Sequence, residues 1–183
     1  GLSGLPPLLL GAMRFMLAAL PVLFIARPKV PLRLYLAYGL TISVGQFAFL
    51  FCAIHLGMPA GLASVVLQAQ AFFTLILSAL LLNEHWHKAQ LAGLILASLG
   101  LAFIGSAHGL SMPLLCFLLT LSAACMWALG NIVTRKVAAI GQVNMFGFVV
   151  WASLVPPLPF LALSLAIEGP TAIQTAISHL SWV

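Results

Sequence analysis

The chain contains no aspartate, and its only acidic residues are Glu84 and Glu168. Charged residues of both signs make up 5% of the 183 residues, whereas 63% are hydrophobic. An ordinary soluble domain carries roughly 25% charged residues, so this composition cannot build a water-exposed surface. The composition therefore predicts that the bilayer is the solvent for most of the chain.

The same absences exclude several kinds of enzyme. Without aspartate there is no aspartate dyad, no Asp-rich metal motif and no Ser-His-Asp triad. The chain also lacks the G-x-x-x-x-G-K-[ST] pattern of a phosphate-binding loop. The three cysteines, Cys52, Cys116 and Cys125, lie inside apolar runs without C-x-x-C spacing, which favours packing over chemistry. We expect a protein that is not an enzyme and holds no cofactor or metal.

Long apolar segments, separated by proline, glycine or charged residues, dominate what is present. A helix needs about 20 mostly apolar residues to cross the hydrocarbon core, and each segment is long enough. Pro21 and the cluster Pro156, Pro157 and Pro159 lie inside segments and predict kinks there. The pattern predicts an all-α, polytopic transmembrane helical bundle with spans at about 6–26, 32–54, 59–82, 88–106, 113–136 and 143–167.

The seven Lys and Arg residues fall mostly at one set of helix ends. The opposite loops carry none, and residues 168–183 on that side include Glu168. By the positive-inside rule the basic ends are cytoplasmic, and the first residue lies outside. We therefore interpret the net charge of +5 as a topology signal and not as a nucleic-acid-binding surface. The six basic residues on the cytoplasmic side are Arg27, Lys29, Arg33, Lys88, Arg135 and Lys136.

Arg14 is the one charged residue well inside a predicted span. Charged side chains are costly in lipid, and inside a span they usually mark a functional site. We expect Arg14 to face a central cavity and attract a substrate carboxylate. The alternative is an arginine that reaches a membrane interface or binds carbonyl groups of a neighbouring helix.

Amides and an indole lie in the third and fifth predicted spans. Gln68 and Gln70 point about 200° apart at about 100° per residue, so both cannot line one cavity. Either one lines a cavity while the other bonds a neighbouring helix, or both bond neighbouring helices. Trp127 and Asn131, four residues apart beside Gly130, share one helix face. They form either a small polar niche or a packing notch.

Two further patterns favour structure over chemistry. Gly93, Ala97 and Gly100 form a stripe of small residues, which predicts close approach of a second helix. His85 and His87 lie near Glu84 and suggest a metal site, but two residues of spacing places them on opposite helix faces. A solvated turn is the preferred interpretation there.

The chain resembles the EamA family of the drug/metabolite transporter superfamily. Pro6-Pro7 followed by Arg14-Phe15 carries part of the resemblance, and GMPAGLASVVLQAQAFFTLILSALLLNEHWHKAQLAGLILASLG at 57–100 carries its specific part. Further similarity, to the bacterial exporters of O-acetylserine and cysteine in that family, lies in TISVGQFAFLFCAIHLGMPAGLAS at 41–64 and WALGNIV at 127–133. One departure is Asn83-Glu84 where the family usually has Gly-Glu, and a looser turn is expected from it.

The resemblance implies ten helices arranged as two inverted five-helix repeats. Residues 1–110 then correspond to spans two to five of the first repeat, and 111–183 to the first two spans of the second. The resemblance implies a bacterial inner-membrane exporter of small amino-acid metabolites that works by alternating access. O-acetylserine and cysteine are its expected substrates. Another exporter with a different substrate, or a helical scaffold without transport, remains an alternative. The expected substrate-binding residues are Arg14, Gln68, Gln70, Trp127 and Asn131.

Overall fold

The computed structural model describes residues 6–85, 87–108 and 113–170, with the side chains of 101 and 104–108 left out of the description. These residues form helices and connecting turns, and no strand is found among them. The predicted all-α architecture is confirmed, and the helix ends agree with the predicted spans to within a few residues. The helices are α1 (Pro7–Leu23), α2 (Leu32–His55), α3 (Ala60–Leu82), α4 (Lys88–His108), α5 (Leu114–Ala138) and α6 (Met145–Glu168).

Four of the helices, α2, α3, α5 and α6, are long and apolar enough to cross a membrane. They have 24, 23, 25 and 24 residues, and each has a mean hydropathy of 1.7 or more. Within the described residues, α1 and the first part of α4, Lys88–Gly100, are shorter apolar helices. The chain is therefore a multi-pass helical membrane protein.

Proline interrupts two helices where kinks were predicted. In α1 the regular helix ends at Ala19, and a 3₁₀ turn follows from Leu20 to Leu23 around Pro21. In α6 the helix is broken between Ala152 and Pro157, at the start of the proline cluster. Proline removes a backbone donor and its ring obstructs the preceding turn, which accounts for both breaks.

Helix α2 contains a widened turn that the sequence pattern does not predict. Its backbone is π-helical from Gly39 to Gly45. The hydroxyl of Thr41 donates to the carbonyl oxygen of Ala37 at 2.6 Å, so it satisfies an acceptor near the start of the widened segment. Such segments replace the usual hydrogen bonding by bonds between residues five apart.

The turn after α3 is closed by Asn83. This residue has φ 54° and ψ 33°, the left-handed conformation that glycine usually supplies at a helix end. Its backbone N–H donates to the carbonyl of Ser78. Asparagine tolerates this conformation better than most residues. Asn83 thus takes the conformation that glycine would supply, and the looser turn expected from the family difference stays a prediction.

The chain divides into two compact units. The first comprises Gly1–Val44 and Val137–Val183, and so contains α1, the start of α2 and α6. The second is Gly45–Lys136, with the rest of α2, α3, α4 and most of α5. These units group helices by contact and do not coincide with the predicted repeats, 1–110 and 111–183. The repeat boundary stays a prediction.

Small side chains fill the core of the second unit. Lipid provides little hydrophobic driving force between helices, so close packing of small residues holds them together. Alanines from α2, α3 and α5 meet there, and the Sγ of Cys116 lies 3.3 Å from the carbonyl oxygen of Leu56. The buried residues of the two clusters are Ala53, Met58, Ala63, Val66 and Cys116, then Leu67, Ala69, Ala123 and Ala124.

Two helices approach closely in the first unit, at Gly39. A Cβ atom built on Gly39 would come within 2.5 Å of the Cβ of Val155, at the break in α6. By contrast, nothing lies within 4 Å of such an atom on Gly93 or Gly100 among the described residues. The close approach predicted for the small-residue stripe of α4 is therefore wrong for the described part of the chain.

Candidate functional site

The polar side chains of α3 and α5 meet in the second unit. The side-chain nitrogen of Asn131 donates to Oε1 of Gln70 at 2.8 Å and to Oγ1 of Thr74 at 3.1 Å. Thr74 in turn donates from its hydroxyl to the backbone carbonyl of Gln70 at 2.6 Å. All three residues are partly buried. We call Gln70, Thr74 and Asn131 the amide cluster.

Gln70 and Asn131 were both predicted as site residues, and the structure brings them together. Thr74 was missed, although it lies four residues after Gln70 and therefore on the same face of α3. That spacing was the available signal. The two N–H groups of the Asn131 amide are satisfied by the cluster, which orients the side chain between the helices.

Gln68 does not join the amide cluster. It is exposed and lies where α3 breaks, between the segments Ala60–Leu67 and Ala69–Leu82. The angular argument that Gln68 and Gln70 point apart agrees with this arrangement. The interhelical bond expected of one residue in the pair is made by Gln70.

Trp127 lies one turn before Asn131 in α5 and is partly buried. Gly130 and Ala128 beside it are buried, so α5 presents a narrow backbone next to the indole. In the described part of the chain no hydrogen bond or ring contact involves Trp127. Its position next to the amide cluster is compatible with the predicted polar niche.

Arg14 belongs to α1, in the first unit. Its side chain is exposed, and its guanidinium carbon lies 5.8 Å from the centroid of the Phe15 ring. Phe15 stacks on Phe160 with centroids 5.8 Å apart, which anchors this face of α1 on α6. The arginine is thus placed on a packed helix, about midway along it.

Glu168 has a structural role that the sequence did not predict. It was assigned to an outer loop, but it is the last residue of α6 and is partly buried. Its carboxylate accepts hydrogen bonds from the backbone N–H of Leu8 at 2.7 Å and of Leu9 at 3.3 Å. The hydroxyl of Ser164 donates to the same carboxylate at 2.6 Å. Glu168 therefore caps the N-terminus of α1 from another helix.

The second glutamate is also paired. Glu84 accepts a hydrogen bond from Arg135 at 2.6 Å, with both side chains nearly half exposed. This ion pair joins the end of α3 to the end of α5, at the basic side of the helices. Among the described residues no three His, Cys, Asp or Glu side chains are grouped as metal ligands, and His85 and His87 are exposed on a turn.

These features define a multi-pass helical membrane protein with polar side chains held between its spans, as in membrane transporters. A family model matches residues 1–106, and the chain belongs to the EamA-like transporter family. The family assigns the chain to transporters rather than to enzymes.

Relatives extend the similarity over nearly the whole chain. It is 51% identical over 181 residues, 97% of its length, to a protein of Salmonella typhimurium named "Probable amino-acid metabolite efflux pump". A protein of the same name from Escherichia coli is 51% identical over 92% of the chain. An uncharacterized transporter of Bacillus subtilis is 27% identical over 74% of it. The chain spans 60% and 58% of the lengths of the first two. No solved structure matches it.

Proposed function

We propose that the chain is the membrane-embedded part of an exporter that moves small amino-acid metabolites from the cytoplasm across the inner membrane. The observation that carries this proposal is the 51% identity, over 97% of the chain, to a protein named for amino-acid metabolite efflux. Family membership and the multi-pass architecture support the same assignment.

The substrate cavity is proposed to be lined or supported by Arg14, Gln68, Gln70, Trp127 and Asn131. An amino-acid metabolite carries a carboxylate and an ammonium group, which need opposite partners in a low-dielectric site. A guanidinium such as that of Arg14 suits a carboxylate, and amide oxygens such as those of the cluster suit an ammonium group. The cluster supports this role because its hydrogen bonds hold Asn131 in one orientation.

Alternating access between the two proposed repeats, 1–110 and 111–183, is the proposed mechanism. In inverted-repeat transporters the substrate binds near the bilayer midplane, where the repeats meet. The hydrogen bonds between α3 and α5 connect residues of the first and second proposed repeats. We propose that O-acetylserine and cysteine are the exporter's substrates, because residues 41–64 and 127–133 resemble the exporters of those compounds.

A vesicle assay tests the transport proposal. The full-length protein is reconstituted, and efflux of labelled O-acetylserine and cysteine is measured against empty vesicles. The Asn131→Leu variant should reduce efflux by at least tenfold, because it removes both cluster bonds and a polar partner for substrate. The Ser98→Ala variant is the control, since Ser98 is exposed and its one hydrogen bond within the described part of the chain goes to the backbone of its own helix, at Leu94.

The assay also separates the alternatives. Efflux that is unchanged by Asn131→Leu rejects the cluster as part of the pathway. A scaffold without transport gives no efflux of any substrate. If other metabolites compete and O-acetylserine and cysteine do not, the protein is an exporter of the same family with a different substrate.

A further inference from the structure

A basic cleft of about 660 Å³ opens at the end of the first unit where α1 ends and α6 begins. Its walls come from the segment between α1 and α2 and from the segment between α5 and α6. The cationic side chains of Arg27 and Lys29 line it, together with the amides of Gln142 and Asn144. All four side chains are exposed. The cleft shares no residue with the amide cluster, which belongs to the second unit.

Among the described residues, no carboxylate pairs with the cations of this cleft. Only two acidic residues exist in the sequence. Glu84 pairs with Arg135, and Glu168 binds the N-terminus of α1. Neither carboxylate is therefore committed to Arg27 or Lys29. An anion from outside the chain is the natural partner of two such cations.

Aromatic side chains hold Arg27 in place. Its guanidinium carbon lies 5.2 Å from the Tyr35 ring centroid and 6.0 Å from that of Trp151. Trp151 donates from its indole nitrogen to the carbonyl of Ile25 at 2.9 Å, and Tyr35 donates to the carbonyl of Pro28 at 3.0 Å. The hydrogen bonds of Trp151 and Tyr35 thereby hold the backbone of the cleft wall, and their rings hold the guanidinium of Arg27.

These aromatic residues also indicate where the cleft lies relative to the membrane surface. Tyr and Trp concentrate at the boundary between hydrocarbon and water, where their polar ends bond and their rings stay in the apolar layer. Strongly exposed apolar side chains adjoin the cations: Leu23 is 78% exposed and Phe24 is 89% exposed. The surface thus combines a cationic part and an apolar part within a few residues.

We propose that this cleft binds the phosphate group of an anionic phospholipid, with Arg27 and Lys29 on the phosphate and the acyl chains along Leu23 and Phe24. Asn144 caps α6 by accepting from the N–H of Gly147 at 3.0 Å, which leaves its amide N–H groups as donors. The positive end of the α6 dipole adds to the attraction. The apolar flank favours a phospholipid over a free phosphate ion.

Thermal unfolding of the full-length protein in detergent tests the proposal, with phosphatidylglycerol, phosphatidylcholine or inorganic phosphate added in separate series. Native mass spectrometry counts bound lipid in the same samples. We expect saturable binding of phosphatidylglycerol that the Arg27→Gln, Lys29→Gln double variant weakens on the order of 10- to 30-fold. Lys29→Gln alone leaves the aromatic contacts of Arg27 intact and should weaken binding roughly fivefold.

The control variant is Arg33→Gln, which removes one exposed cation outside the cleft. It should leave phosphatidylglycerol binding within twofold of the parent protein. Equal binding of phosphatidylcholine overturns the proposal, as does equal weakening by Arg33→Gln. Stabilisation by inorganic phosphate alone, with no bound lipid in the mass spectra, identifies a simple anion site and also overturns it.

Discussion

Replacing Glu168 by alanine should destabilise the protein more than any other single loss of charge in the chain. Helix α1 begins at Pro7 and is preceded by Pro6, and neither proline has a backbone N–H. The N–H of Leu10 already bonds the carbonyl of Pro6 at 3.0 Å. The N–H groups of Leu8 and Leu9 therefore have no acceptor within the first turn of the helix. Both are bound by the Glu168 carboxylate.

The expected loss of stability follows from these two hydrogen bonds. A lost N-cap costs about 0.5–2 kcal/mol, and a hydrogen bond to a charged group contributes about 1.5–3 kcal/mol. Leu8 and Leu9 are buried, so water cannot easily replace the carboxylate. We expect Glu168→Ala to lower the free energy of unfolding by about 2–3 kcal/mol. Glu168→Gln keeps one acceptor oxygen and should lose about half as much.

The matched control is the other acidic residue. Glu84→Gln breaks an ion pair whose side chains are 46% and 47% exposed, and exposed pairs contribute about 0–1 kcal/mol. Unfolding of the full-length protein by sodium dodecyl sulfate in mixed micelles gives the free energies of all three variants. If Glu168→Ala and Glu84→Gln were equally stable, the capping argument would be refuted.

Three further predictions concern packing and polar contacts. Gly39→Ala should destabilise the protein by about 1–3 kcal/mol, because its Cβ would clash with Val155. Gly93→Ala, whose Cβ would meet no atom within 4 Å among the described residues, should be neutral or stabilising by up to about 1 kcal/mol. The same micelle titration measures both variants. Asn83→Gly should preserve or slightly raise the thermal midpoint, because glycine adopts the left-handed conformation at no steric cost, while Asn83→Val should lower it. Arg14→Gln should reduce substrate efflux at unchanged expression if Arg14 attracts the carboxylate; normal efflux would show that it does not.

Much of the fold could be predicted from composition and spacing. The helix ends follow the apolar segments closely because proline, glycine and charge interrupt them where the chain turns. The breaks at Pro21 and at Pro156–Pro157 were predictable for the same reason. The fold class needed no tertiary information, because spanning helices satisfy their own backbone groups.

Contacts between distant residues were harder to predict. A hydropathy pattern assigns Glu168 to a loop, since nothing in its neighbourhood indicates that α1 needs a partner 160 residues away. The stripe of small residues in α4 and the lone Gly39 look alike in sequence. Among the described residues, however, a Cβ atom on Gly39 would meet a neighbour, whereas one on Gly93 or Gly100 would not. For the amide cluster, the sequence indicated two of three members, and helical spacing would have supplied Thr74.

The widened turn in α2 shifts the helical phase of that helix. A π-helical turn acts as one inserted residue, which rotates the remainder of the helix by about 100° relative to an unbroken α-helix. Deleting one residue between Gly39 and Gly45 should therefore restore regular helical hydrogen bonding along α2 and remove that added rotation. The irregularity thus sets the helical phase of α2 at this point.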